Sequence, residues 1–213
     1  MSDFDIKDGI LFKCNDKNIT HARIPDNVHT IFDGAFEYCE KLEDVYLNSV
    51  RRIGNCAFIS CISLHNLLLP EPVYIIGDRA FMNCSSLVDV YMFDTIKTLG
   101  RQAFAYCNSL ARLKLSDSLT RVADEAFIGC DHLSFLGLGD NIVYIGRDSF
   151  YDCRALETIN TIGSDPNLYL YIDDGAFGWC EALKTIYKRK DTIIEAHKNA
   201  FIGCDNLKGE QVI

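Results

Sequence analysis

The residues able to do chemistry in this chain are its ten cysteines and five histidines, which could hold zinc, close disulfides or supply a nucleophile. Zinc needs ligands in close pairs. No C-x-x-C pair exists, and His21, His29, His65, His132 and His197 show no paired ligand spacing. Eight cysteines, at 39, 61, 84, 107, 130, 153, 180 and 204, are separated by 22, 23, 23, 23, 23, 27 and 24 residues. So regular a spacing belongs to a repeat and not to a ligand set. Free cysteine is among the most buried residue types, so the expected structure is a stack of small apolar thiols. A disulfide between adjacent rungs about 5 Å apart is conceivable. Side chains leaving parallel rungs in the same direction give it poor geometry, and the thiols are expected reduced. Cys14 and Cys56 fall outside the ladder. Cys56 sits in the slot held elsewhere by Gly34, Arg79, Gln102, Glu125 and Asp148, which places it near the surface. It has no neighbouring base to activate it. No phosphate-cradling glycine loop, G-x-S-x-G or H-E-x-x-H occurs, since Gly54, Gly77, Gly100 and Gly146 recur singly at one bend. No catalytic residue, metal or cofactor is expected.

The elements that carry the cysteines show best in Ala103–Leu115, AFAYCNSLARLKL. Phe104, Cys107 and Leu110 are spaced by threes, which suits a tight helical or 3-10 turn with one apolar side. Leu113 and Leu115 are spaced by two, as in a short strand with one buried face. This fragment recurs eight times. A β-branched linker follows each copy, as in Val73–Asp78 and Ile142–Arg147, and reads as a second extended segment closed by a glycine bend. One such coil cannot bury its own apolar side, whereas neighbouring coils bury each other's. The core should contain a phenylalanine ladder (Phe36, Phe58, Phe81, Phe104, Phe127, Phe150, Phe177, Phe201) beside the cysteines. A leucine ladder runs with them: Leu42, Leu64, Leu87, Leu110, Leu133, Leu156, Leu183 and Leu207. At roughly 4.8 Å per coil, eight coils make a core on the order of 40 Å long.

Composition agrees with a globular chain: 213 residues, 48% hydrophobic and 24% charged. A net charge of −9 opposes a nucleic-acid partner held through phosphates. No apolar run approaches the roughly 18 residues of a membrane span, so membrane insertion is not expected. The N-terminus carries acids where a secretory signal has bases, which as written points to the cytoplasm; a leader removed beforehand would point to the surface or to secretion.

The pattern I-G-x-x-A-F-x-x-C-x-x-L-x-x-V/L-x-L, from Ile19 to Leu207, resembles the BspA-type leucine-rich repeat family. Phe4–Cys14, FDIKDGILFKC, resembles the segment preceding the first repeat in many members. The resemblance implies an α/β repeat solenoid: a right-handed leucine-rich-repeat stack with a parallel β-sheet on one face and short helical or 3-10 turns opposite. The domain reading is a hairpin-like cap over 1–18, one repeat domain of about eight coils over 19–207, and a tail over 208–213. Members are mostly surface or secreted binding proteins associated with adhesion, so a similar role is implied here. Fold alone does not give function.

Three departures stand out. Residues 162–167 lengthen one coil with turn-forming residues, as a tolerated bulge or a binding loop. Lys188-Arg189-Lys190 replaces an apolar strand end, as the start of a polar C-terminal cap or as a basic docking patch. After Leu207 no repeat is left, and Gly209–Ile213 reads as disordered. Two sequons, at Asn18 and Asn83, occur; the second places its middle residue in the core ladder.

Outward-facing strand positions align from coil to coil. One slot contains Tyr46, Leu68, Tyr91, Lys114 and Tyr187, and the slot two residues earlier contains Asp44, Asn66, Asp89, Arg112 and Phe135. Tyrosine and arginine at a solvent-facing centre are typical of binding hot spots. Tyrosine also simply favours strands, so both readings stand. These ten residues are the expected partner-binding face of a non-enzymatic module for a protein or peptide, in a monomer or weak homodimer. The alternative is a structural, self-associating protein in which Tyr46, Leu68 and Tyr91 form the self-contact.

Overall fold

The computed structural model describes residues 3–161, 169–188 and 191–212. β1 (Phe4–Lys7) and β2 (Ile10–Cys14) form an antiparallel hairpin around the Asp8-Gly9 turn. Its Phe4 ring meets Phe36 edge-on, with centroids 5.9 Å apart, and so closes one end of the phenylalanine ladder. From there the chain alternates between two sides of a stack. The front receives β3 (His21–Arg23), β5 (Asp44–Tyr46), β7 (Asn66–Leu69), β9 (Asp89–Met92) and β11 (Arg112–Lys114). It continues with β13 (Phe135–Gly137), β15 (Thr158–Asn160), β17 (Thr185–Lys188) and β19 (Glu210–Val212). The rear receives β4 (Thr30–Ile31), β6 (Arg52–Ile53), β8 (Ile75–Ile76), β10 (Thr98–Leu99) and β12 (Arg121–Val122), then β14 (Tyr144–Ile145), β16 (Tyr169–Ile172) and β18 (Ile193–Ala196). The front strands make one nine-stranded sheet in which neighbouring strands pair in parallel. The rear divides into a six-stranded sheet ending at β10 and a four-stranded sheet beginning at β12.

The core contains the three ladders. Phe36 to Phe177 are fully buried, and rings from Phe36 to Phe201 stack with centroids 4.8–5.5 Å apart and planes within 11°. Each cysteine from Cys61 to Cys204 donates its thiol to the phenylalanine carbonyl of the preceding coil, at 3.0–3.4 Å. Cys14 belongs to this ladder after all: it is buried in the core beside Cys39, and its thiol donates to Asp16 O at 3.2 Å. Its offset in sequence hid this, because the hairpin replaces a full coil.

The helical or 3-10 turns expected opposite the sheet are not there; the described residues contain no helix. Their place is taken by tandem turns with a left-handed residue every fourth position, for example Gly34 and Tyr38, Cys56 and Ser60, and Gln102 and Tyr106. Hydrogen bonding explains the difference. Alternate N–H groups, of Ala35, Glu37 and Cys39, donate to the carbonyl three residues back. Those between them, of Gly34, Phe36 and Tyr38, donate to Asn55, Ala57 and Ile59 of the next coil at 2.7–2.9 Å. A helix would turn every N–H along its own axis. Here half of them join coil to coil, which offsets the roughly 1–2 kcal/mol for each non-glycine residue in the left-handed region.

Glu210–Val212, in the stretch that reads as a disordered tail, pairs in parallel with β17 as β19. The 162–167 segment and Arg189-Lys190 lie outside the described residues.

One core position is imperfect. Ser149 stands in the slot filled by Ala35, Ala57, Ala80, Ala103, Ala126 and Ala176, and among the described residues its Oγ is the buried side-chain atom without a hydrogen-bond partner. Ser149→Ala should stabilise the protein by about 1 kcal/mol. A rise of roughly 2–4 °C in melting temperature would bear this out; an unchanged or lower value would refute it.

On the rear face the Tyr144 ring stacks on Tyr171, and Arg121 lies over Tyr144 at 4.4 Å. The Tyr144 hydroxyl donates to Asp173 Oδ2 at 2.6 Å. That bond lowers the Asp173 pKa and pushes the Tyr144 hydroxyl up to about 12. The depressed carboxyl contributes stability above its unfolded pKa near ~3.9, which is lost as pH falls through the folded value. The raised phenol contributes below about 10, and its share is lost as pH climbs towards 12. Tyr144→Phe should therefore flatten both limbs of the stability–pH curve, measured as urea midpoints from pH 2 to pH 12, while wild type falls off at each end.

Candidate functional site on the front sheet

The front sheet is not evenly closed. Between β11 and β13, and between β13 and β15, the ladder runs through three residue pairs. Between β9 and β11 it contains one, Asp89 opposite Arg112, as it does between β5 and β7, Asp44 opposite Asn66. Beyond that pair of β9 and β11 the ladder does not continue, and a groove of about 580 Å³ lies over the two strands. Its floor is Val90 and Leu113, both buried. Tyr91, Met92 and Phe93 line the β9 side; Arg112, Lys114 and Phe135 line the other, with Leu68 and Asp89 completing it.

Six of the ten residues expected on the binding face therefore come together: Leu68, Asp89, Tyr91, Arg112, Lys114 and Phe135. Leu68 and Tyr91 are opposite each other in register and 58% and 60% exposed. Tyr46 is equally exposed at 57% but lies outside the groove, as do Asp44 and Asn66, which pair across β5 and β7. Asp44 is hydrogen-bonded to His21 Nδ1 at 2.9 Å. Tyr187 lies four coils away from Tyr91, opposite Asn160.

Met92 and Phe93 escaped the sequence reading. Met92 fills the slot in which Leu69 and Leu115 are fully buried, yet it is only half-buried and lines the groove. Phe93 stands where other coils have Pro70, Ser116 or Gly139. A large aromatic residue at a turn position was the available signal.

The site combines apolar walls with placed charge. The Arg112 guanidinium lies 5.3 Å from the Phe135 ring centroid and forms no ion pair with a carboxylate among the described residues. Lys114 Nζ is 3.3 Å from Asp117 and 3.9 Å from Asp94, so its charge is already balanced. Arg112 is thus the groove's cation without an ion pair among the described residues, and its guanidinium has the donor geometry to pair with a carboxylate.

Hydrogen bonding to Cys39 and Cys180 lowers the pKa of the Cys14 and Cys204 thiols, at the two ends of the ladder. Burial pushes Cys61 up to about 12 and raises Cys84, Cys107, Cys130, Cys153 and Cys180. Desolvation raises half-buried Cys56 as well. Among the described residues no three His, Cys, Asp or Glu side chains form a group that could hold a metal, and no helix is long and apolar enough to cross a membrane.

The BspA-type leucine-rich repeat model matches residues 5–134 and 97–210, in six copies. The chain belongs to the BspA-type leucine-rich repeat family. Among solved structures it is similar to a leucine-rich repeat protein of T. pallidum, with 26% identity, a TM-score of 0.73 and 82% of each chain covered. It is also similar in fold to a leucine-rich repeat protein of Eubacterium ventriosum, with 14% identity and a TM-score of 0.60, over 90% of this chain and 72% of that one. No curated protein matches it.

Proposed function

We propose that this BspA-type repeat protein is a non-enzymatic binding module that takes a protein or peptide segment into the front-sheet groove. The observation carrying this reading is the coincidence of three features at one place: an opened ladder, an apolar floor of Val90 and Leu113, and exposed Tyr91, Phe93 and Arg112 at the rim. Grooves with apolar lining and few polar groups are the usual form of a recognition site. Large aromatic residues beside an arginine supply most binding energy where they are desolvated. The adhesion role implied by the family fits a module of this kind.

A random peptide display library panned on the wild-type chain supplies the probe. Selected peptides should lose about 2 kcal/mol, roughly 30-fold in affinity, against Tyr91→Ala, with melting temperature within about a degree of wild type. Equal affinity for both proteins would reject the groove. A second reading, self-association through Tyr46, Leu68 and Tyr91, is favoured by their like exposure on three successive front strands. Light scattering separates the two: a concentration-dependent mass abolished by Tyr46→Ala with Tyr91→Ala would establish the self-contact.

A further inference from the structure

The front groove has a counterpart. The rear face opens between the same third and fourth coils, where the six-stranded sheet ends at β10 and the four-stranded sheet begins at β12. A second groove of about 490 Å³ lies there, lined by Gly100, Arg101 and Ala123 among others.

Two sequence changes coincide with the gap. Elsewhere the rear strands end in glycine: Gly54, Gly77, Gly100 and Gly146 each donate N–H to the coil before, at 2.9–3.0 Å. A Cβ at these positions would lie 2.4–2.8 Å from preceding backbone atoms. The fourth coil has Ala123 in this slot, and its N–H has no partner in Leu99 among the described residues. In the adjoining slot, Asp33, Asn55, Asp78 and Asp124 accept the next coil's N–H on a side-chain oxygen, at 2.8–3.1 Å. The third coil has Arg101 there, which has no acceptor to offer. The next bond along, Gln102 N–H to Asp124 O, is stretched to 3.3 Å. A side chain in the glycine slot does not open a junction unaided, since Phe32, Asp173 and His197 keep the equivalent bond at 2.9, 3.0 and 2.8 Å.

The turn edge stays bonded across the gap, with Phe81 and Asn83 donating to Ala103 and Ala105 at 2.8 Å. The corner joining front to rear is held by side chains. Ser116 Oγ donates to Ile96 O at 3.0 Å, Ser118 Oγ to Asp94 O at 2.6 Å, and Asp117 N–H to Asp94 Oδ1 at 3.0 Å.

We propose that this junction is a hinge. The coils before Gly100 and after Arg101 rock about the bonded turn edge, Ser116 and Ser118 latch the far corner, and the rocking sets the width of the front groove. The hinge is a property of the backbone and stands whether or not the groove takes a peptide.

Amide hydrogen exchange on the intact chain, read by NMR, tests it. In wild type, the amides of Thr120, Ala123 and Asp124 should exchange about 100-fold faster than their counterparts one coil on, Val143, Gly146 and Arg147. Equal protection of the two sets would overturn the hinge without any variant. Ala123→Gly with Arg101→Asn should bring the two sets within about 10-fold, and no change would overturn the assigned cause. Ser116→Ala should speed exchange at Thr120 and Ala123, and unaltered exchange would overturn the latch.

Discussion

Phe104→Ala is expected to lower stability by about 3–5 kcal/mol, the usual loss for a fully buried phenylalanine. Phe104 has no exposed surface and stacks on two rings, Phe81 at 5.1 Å and Phe127 at 5.5 Å. A solenoid coil contacts only its neighbours, so a cavity here is not closed by residues from elsewhere in the chain. Against a total of roughly 5–15 kcal/mol, such a loss brings the protein near its unfolding threshold. Phe201→Ala is the control. Phe201 stacks on Phe177 alone and is only partly buried, so its loss should be less than half as large. Urea unfolding of both variants measures this, and equal losses at the two positions would refute the stacked-core account.

Gly100→Ala should cost about 2–3 kcal/mol although it adds a single methyl group. The added Cβ would lie 2.4 Å from both Asp78 N and Gly77 C, backbone atoms with no rotamer to escape into. The strain should also break the bond from Gly100 N–H to Ile76 O. Gly137→Ala is the comparison, because its Cβ would meet Lys114 and Phe135 side chains at 3.4 and 3.5 Å, ordinary contact distances. That change should stay within about 0.5 kcal/mol. Similar thermal midpoints for the two variants would show that coil spacing adapts more freely than the bonded rear ladder suggests.

Much of this architecture is written in spacing. Phenylalanine, cysteine and leucine recurring together every 22–27 residues determine the stack, its ladders and the identity of its core, because a buried position in one coil is buried in the next. The outward alternation of strand residues likewise determines that Leu68, Asp89, Tyr91, Arg112, Lys114 and Phe135 share one face. Three features were decided by tertiary structure. The turn edge is not helical, since its alternate N–H groups find acceptors on the neighbouring coil, which no local period reveals. Cys14 enters the thiol ladder and Glu210–Val212 the front sheet through pairing across space, outside the repeat register. The groove itself depends on how two coils meet, since the front ladder shrinks to one pair between β9 and β11 and the rear sheet breaks between β10 and β12, which no period in the sequence reveals. Sequence determined which residues face outward together; packing between coils decided where that face opens.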